Sequence, residues 1–170
     1  MNVRCLDRLD ERQIEQLSDV LIDCVEGGAS VSFMWPMTRQ KARAFWENAA
    51  NSAAKGERFI VVAEDPARIL GTVSVILNLP ENQPHRADVA KMLVHRSARR
   101  RGVGAAVLKV AEREARERGR TLLVLDTVTG SDAERLYIRQ GWQRSGEIPM
   151  YALWPDGRPC PTTYYYKSLV

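Results

Sequence analysis

The 170-residue chain is poor in the residues that carry metal, disulfide and membrane chemistry. It has three cysteines, Cys5, Cys24 and Cys160. They are odd in number and scattered, with no C-x-x-C, so a disulfide framework is excluded. It has two histidines, His85 and His95, with no cysteine near either. That spacing offers no structural zinc site. H-E-x-x-H and G-x-S-x-G are both absent, and no motif marks a Ser/His/Asp triad. No apolar run approaches the ~20 residues that cross a bilayer. The opening MNVRCLDRLD lacks the apolar stretch of a secretory signal, so the expectation is a cytoplasmic protein with reduced thiols and no membrane partner. Chemistry is left to Asp, Glu, Tyr and backbone groups, with no metal.

What is present is ordinary globular composition, 45% apolar and 27% charged. The length suits one domain, residues 1–170, with one core. The net charge of +4 is too small to argue for a nucleic-acid partner, and no helix-turn-helix or RNA-binding motif supports one. The distribution of the charge says more. Three arginines are consecutive, Arg99, Arg100 and Arg101.

The apolar periods divide the chain into elements. Val3–Leu6 reads as a short strand. Ile14, Leu17, Leu21 and Val25 recur at helical spacing across Glu11–Glu26, and Gly27-Gly28 stops the helix. Pro36 is expected to open a second helix, running to about Gly56. Phe59–Ala63 and Ile69–Leu77 read as a hairpin around Asp65-Pro66. Ala87–Val94 is a further strand. Gly102–Arg118 carries Val103, Val107, Val110 and Ala111 on one stripe and reads as a helix. Leu122–Leu125 is a continuous apolar run, as a central strand requires. Ser131–Gln140 is a short helix, and strands follow at Trp142–Ile148 and Thr162–Leu169. The order β-α-α-β-β-β-α-β-α-β-β predicts an α/β domain with a mixed central sheet flanked by helices.

The densest information lies in Leu93-Val94-His95-Arg96-Ser97-Ala98-Arg99-Arg100-Arg101-Gly102-Val103-Gly104. A strand enters a glycine-bearing turn and a long helix leaves it. Helix N-termini offer unpaired N–H groups and the positive end of the dipole. Glycine lets that backbone approach an anion, and arginines complete a site for a pyrophosphate. The P-loop and dinucleotide fingerprints are both absent. On the turn alone, a solvated basic helix start fits equally well.

Arg99-x-x-Gly102-x-Gly104 resembles the R/Q-x-x-G-x-G/A signature of the GCN5-related N-acetyltransferases (GNAT). Ala133-Glu134-Arg135-Leu136-Tyr137, followed by Gly141-Trp142, is similar to the second motif of that family, and the element order agrees along the chain. The resemblance implies acetyl-CoA as co-substrate. Its pyrophosphate would rest on the backbone of Arg99, Arg100, Arg101, Gly102, Val103, Gly104 and Ala105, and its pantetheine arm beside Met92, Leu93 and Val94. Gly27–Met34, Leu125-Asp126-Thr127 and Pro155–Arg158 through Tyr166-Lys167 further resemble the tabtoxin-resistance branch, whose acceptor is a small amine-bearing β-lactam. Phe33 and Trp35 would then line the acceptor site.

Acetyl transfer to an amine needs a proton acceptor, donors for the developing oxyanion, and an acid for the departing thiolate. A strand N–H near Leu93 would serve the oxyanion. Tyr137 falls where the family places its general acid, and a phenol of ordinary pKa ~10 is protonated at neutral pH. The same ring would also pack on the core. Asp126, at the end of Leu122–Leu125, stands where α/β sheets hold ligands. It is either the base and ammonium-binding group or a cap for the next loop. Asp88 is a rival base, at the position of the catalytic glutamate in the histone-acetylating branch. Strict alternation would put Asp88, Ala90, Met92 and Val94 on one face. Arg86 beside Asp88 would neutralise it.

One departure stands out. The asparagine that the family carries seven residues before the tyrosine is Gly130 here, and Ser131 would replace its cofactor contact. Tyr164, Tyr165 and Tyr166 read as strand packing. No cysteine is placed to form an acyl-enzyme, so direct attack in a ternary complex is expected. The expected acceptor is a small amine of the antibiotic or toxin kind. The alternatives are an aminoglycoside, a polyamine or a protein N-terminus, or else a non-catalytic CoA-binding sensor. An aminoglycoside would need an acidic pocket, for which Asp23, Glu26, Asp88 and Asp126 are available. Similar enzymes often form a homodimer, which is the expectation here.

Overall fold

A computed structural model describes residues 1–170. The chain order is β1 (Asn2–Leu6), α1 (Glu11–Glu26), α2 (Arg39–Ala54), β2 (Arg58–Glu64), β3 (Ile69–Ile76), β4 (Arg86–Val94), a 3₁₀ turn (Arg96–Ala98), α3 (Val103–Glu117), β5 (Leu122–Val128), α4 (Asp132–Arg139), β6 (Gln143–Leu153) and β7 (Pro159–Ser168). This is the predicted order with no element missing. The seven strands form one sheet, ordered β1-β2-β3-β4-β5-β7-β6. Only the β4–β5 pair is parallel.

Local chemistry sets the helix starts. Asp10 caps α1, accepting from Gln13 N at 2.8 Å, while Gln13 Oε1 accepts from Asp10 N at 2.9 Å. α2 begins three residues later than Pro36 suggests. Thr38 Oγ1 accepts from Lys41 N at 3.2 Å, whereas a start at Pro36 would leave Trp35, which has no side-chain oxygen, as the cap. The Trp35–Pro36 bond is cis.

Two cores sandwich the sheet. On one face Val103, Val107, Leu108, Ala111 and Ala115 of α3 pack with Val61, Val73, Ala87, Val89, Leu123 and Leu125. On the other, Leu17, Leu21 and Val25 of α1 and Trp46 of α2 pack with Ile60, Val62 and Leu93. Each fully buried Leu contributes about 1.5–3 kcal/mol, so the two helical layers hold the sheet from both sides. No helix is long and apolar enough to cross a membrane.

Two irregularities in β4 shape the site. Thr72 pairs with Leu93 and Ser74 with Ala90, so two β4 residues, Lys91 and Met92, oppose the single Val73. This bulge corrects the alternation expected from the sequence. Ala87 and Val89 face α3, but beyond the extra residue Leu93 faces α1, while Met92 and Val94 turn toward the α3 side. Asp88 therefore shares no face with Met92 or Val94. The second irregularity is a parting of strands. β4 and β5 pair only at Arg86–Leu122, Ala87–Leu123 and Asp88–Val124. Beyond that, β4 stays with β3 as far as Val94, and β5 stays with β7 as far as Val128. A wedge opens in the middle of the sheet.

Candidate active site

The turn between β4 and α3 is fixed from below. Asp23 of α1, 9% exposed, accepts from Arg96 N at 2.8 Å and also from Arg96 Nε. His95 Nδ1 accepts from Ser97 N at 3.3 Å, and its Nε2 lies 3.6 Å from Asp23. Ser97 Oγ accepts from Arg68 at 2.7 Å. Ser97, His95 and Asp23 thus stand in a row, but the hydroxyl is held by an arginine and the ring by a backbone cap. Their role is to hold the turn.

The chain then passes through two left-handed residues, Arg100 (φ 58°) and Gly102 (φ 78°). Gly102 leads α3 and supplies no side-chain cap. The first helical bond comes from Ala106 N to Gly102 O at 3.0 Å, so the N–H groups of Val103, Gly104 and Ala105 have no helical partner. That open N-terminus fits a pyrophosphate, and Arg100 and Arg101 are exposed beside it. Arg99 behaves differently. Its Nε donates to Val94 O at 3.3 Å, so its side chain braces the loop. Gly104 also serves packing: a Cβ there would lie 2.9 Å from Leu136 Cδ2 and 3.6 Å from Met92 Sδ. The glycine lets α3 sit against α4 and β4. Ser131 caps α4, accepting from Glu134 N at 3.1 Å, so its hydroxyl is engaged in the helix start.

Met92, Leu93 and Val94 form one wall of the wedge. Leu93 and Val94 pair with β3, Met92 sits in the bulge, and none of the three pairs with β5, which leaves a free strand edge that an extended amide-bearing chain can join. Val94 O is already used, accepting from Arg99 Nε and from Cys24 Sγ at 3.6 Å.

Tyr137 on α4 is buried, 5% exposed, with its ring 5.7 Å from that of Trp142. Its hydroxyl has no protein partner, yet it is not sealed in. The enclosed, unpartnered side-chain polar atoms lie at Trp46, Thr72, Ser74 and Arg120. Burial first, and then the negative charge of Asp126, push its pKa well above the ordinary phenol value. The ring packs and the hydroxyl stays available, so both roles foreseen for Tyr137 are compatible.

Asp126 is exposed and lies within β5, which runs on to Val128. It caps no loop. Its Oδ2 accepts from Thr162 Oγ1 of β7 at 2.9 Å. Asp88 stands on the same sheet face, because it pairs with Val124, two residues before Asp126. Asp88 is ion-paired to Arg86, as its neighbour in sequence suggested.

The rest of this face comes from distant segments. Lys91 at the bulge adopts φ 51° and donates to Ser32 Oγ at 2.9 Å. Ser32, in the α1–α2 loop, is itself left-handed at φ 78°. Non-glycine residues pay about 1–2 kcal/mol for that region, and two of them meet here. Lys91 Nζ lies 5.6 Å from the Phe45 ring centre, and Phe45 meets Phe33 edge-on at 5.5 Å. Trp35 is half exposed and ties the loop down, through Nε1 to Val25 O at 2.9 Å and through N to Pro155 O at 3.1 Å. Of the three consecutive tyrosines, Tyr165 is core and Tyr166 is exposed. Tyr164 pairs with Asp126 in register and shares a hydrogen bond of 2.7 Å with Tyr151. That bond, then burial, pushes the Tyr164 phenol up to about 12. Lys91, Ser32, Tyr151 and Tyr164 carry no motif. The reading of all three tyrosines as strand packing holds for Tyr165 alone, because alternation along β7 turns Tyr164 and Tyr166 away from the core.

The split sheet and the uncapped, glycine-led helix at its mouth together offer a free strand edge and open N–H groups, which an extended, phosphate-bearing molecule can use. The sequence profile of the Acetyltransferase (GNAT) family matches residues 15–142. The chain belongs to that family and is an N-acetyltransferase. Solved structures agree in fold. A ribosomal-protein-alanine N-acetyltransferase from Brucella melitensis is 23% identical, with 99% of each chain covered and a TM-score of 0.81. A Salmonella typhimurium protein solved with its cofactor acetyl-CoA is 17% identical, covering 99% of this chain and 94% of that one, with a TM-score of 0.77. An aminoglycoside 6'-N-acetyltransferase complexed with coenzyme A is 19% identical, covering 100% and 98%, with a TM-score of 0.73.

Proposed function

We propose that residues 1–170 act as one domain that transfers acetyl from acetyl-CoA to the primary amine of a small molecule of the antibiotic or toxin kind. The acceptor enters under the α1–α2 loop, between Phe33 and Asp126. Asp126 binds the ammonium and takes its proton, directly or through a water. The amine nitrogen bonds to the thioester carbonyl carbon, the nitrogen gives its second surplus proton to water, and the C–S bond breaks. Tyr137 gives its proton to the departing sulfur. A β4 N–H beside Leu93 supports the developing oxyanion, while Val103, Gly104 and Ala105 hold the pyrophosphate with Arg100 and Arg101. The observation that carries this reading is a buried phenol on α4 with no hydrogen-bond partner, held protonated first by burial and then by the charge of Asp126, beside a strand that has parted from β4.

The three relatives compared above take different acceptors or none that is named, so their fold does not choose one. A histone-type base at Asp88 is disfavoured by its ion pair with Arg86. The likeness to the tabtoxin-resistance branch at Gly27–Met34 and Leu125–Thr127 supports a small acceptor. A homodimer through β6 belongs to the same proposal. β6 is an edge strand with Ile148, Met150, Tyr151 and Leu153 exposed, Met150 at 75%. Sedimentation of the purified chain as a monomer at micromolar concentration would remove the dimer.

The test is thermal denaturation with acetyl-CoA, then thiol release with toxins, aminoglycosides and peptides. A rise in Tm at or below millimolar acetyl-CoA, followed by thiol release with one small-amine class, is the expected outcome. A Tm shift without thiol release for any acceptor would favour a CoA-binding sensor. No shift at all would sink the reading.

A further inference from the structure

Resting on the acetyl-transfer reading, the geometry points to Lys91 as the group that receives a carboxylate on the acceptor, which makes the substrate an amine of amino-acid type.

Lys91 occupies the extra position of the β4 bulge, on the face away from α3. Packing does not require a lysine there, because Met92 and Leu93 supply the neighbouring core contacts. The side chain is partly buried, beneath the α1–α2 loop and beside Phe45. An ammonium carries three donors, and one of them goes to Ser32 Oγ. Lys91 makes no ion pair. Asp88 is taken by Arg86 on its own strand. Burial lowers the Lys91 pKa from the ordinary lysine value, and Asp126 pulls it back. A cation drawn partly out of water, without a carboxylate in contact, is stabilised by any ligand that brings one.

Asp126 supplies the opposite sign one strand away. Thr162 occupies its Oδ2, which leaves Oδ1 for an ammonium. The two strands part beyond Asp88 and Val124, so the carboxylate on β5 and the ammonium on β4 flank the opening from its two sides. An acceptor bearing both an amine and a carboxylate matches that polarity. Phe33 and Phe45 offer apolar surface for the remainder. A polycationic sugar would meet Lys91 with repulsion, and a plain alkylamine would leave it unpaired.

Free amino acids, their methyl esters, the corresponding decarboxylated amines and an aminoglycoside are compared in the thiol-release assay with purified full-length protein. The wild type is expected to favour acids over their esters by about 10- to 100-fold in kcat/KM. Lys91→Met should bring that ratio close to one, with the loss falling on the KM of the acid. Lys91→Arg should restore part of the preference. Acetyl-CoA binding, followed by calorimetry, distinguishes this inference from the reading beneath it. Equal use of acids and esters by the wild type overturns the carboxylate assignment while leaving acetyl transfer standing. So does an aminoglycoside turned over faster than every acid. Acetyl-CoA binding without thiol release for any acceptor overturns both. If Lys91→Met does not fold, the wild-type acid-to-ester ratio alone decides.

Discussion

The turn before α3 and the face under the α1–α2 loop bind by different means. At the turn, the groups offered are chiefly backbone N–H groups exposed by a left-handed glycine, with Arg100 and Arg101 beside them while Arg99 braces the loop. At the face, the groups offered are side chains: Lys91, Asp126, Tyr164 and the Phe33–Phe45 pair. A backbone site needs certain residues at certain spacings, so it writes a motif. A side-chain site needs only proximity in space, so it can draw on any element. The invariant co-substrate suits the first and a particular acceptor suits the second.

The comparison breaks if a change on one side is felt on the other. The largest effect is expected at Tyr137, which stands between the two. Tyr137→Phe keeps the ring and should lower kcat by about 100-fold or more while leaving the acetyl-CoA dissociation constant nearly unchanged. Turnover at the wild-type rate would remove the phenol from the reaction. Next come the carboxylates. Asp126→Asn should lose about tenfold more rate than Asp88→Asn, because Asp88 is already neutralised by Arg86. The reverse order would shift the base to β4. The smallest effect belongs to the turn. Gly102→Ala forces a Cβ into φ 78°, costs about 1 kcal/mol and should lower Tm by about 2–4 °C. Acetyl-CoA affinity should weaken with it, by the same factor whichever acceptor is present. A change in acceptor KM instead would show that the two regions are not separate.

The same division explains what was legible in the sequence. The element order followed from apolar periods, and α1 begins and ends where its pattern does. The Arg99–Gly104 turn was readable because its glycines and arginines are contiguous. The start of α2 was misplaced because the oxygen of Thr38 outweighs the preset φ of Pro36. β6 runs to Leu153 because it follows β7 through two register shifts, which its own residues do not reveal. The β4 bulge depends on the register against β3, so alternation alone gave the wrong face for Met92 and Val94. Lys91 and Ser32 are 59 residues apart, and Tyr151 and Tyr164 are 13 apart. No local pattern joins such pairs.

The bulge also bears on parity along β4. Between Asp88 and Val94 the strand holds one residue more than its partner. Deleting Lys91 would remove the bulge and leave Val89, Ala90, Met92, Leu93 and Val94 in plain alternation, with Leu93 still toward the α1 core and Met92 and Val94 still toward the α3 side. The extra residue therefore serves no core; it adds a second side chain, Lys91, to the face under the α1–α2 loop. Deleting Lys91 should accordingly cost the fold less than deleting Leu93, whose side chain is part of the α1 core.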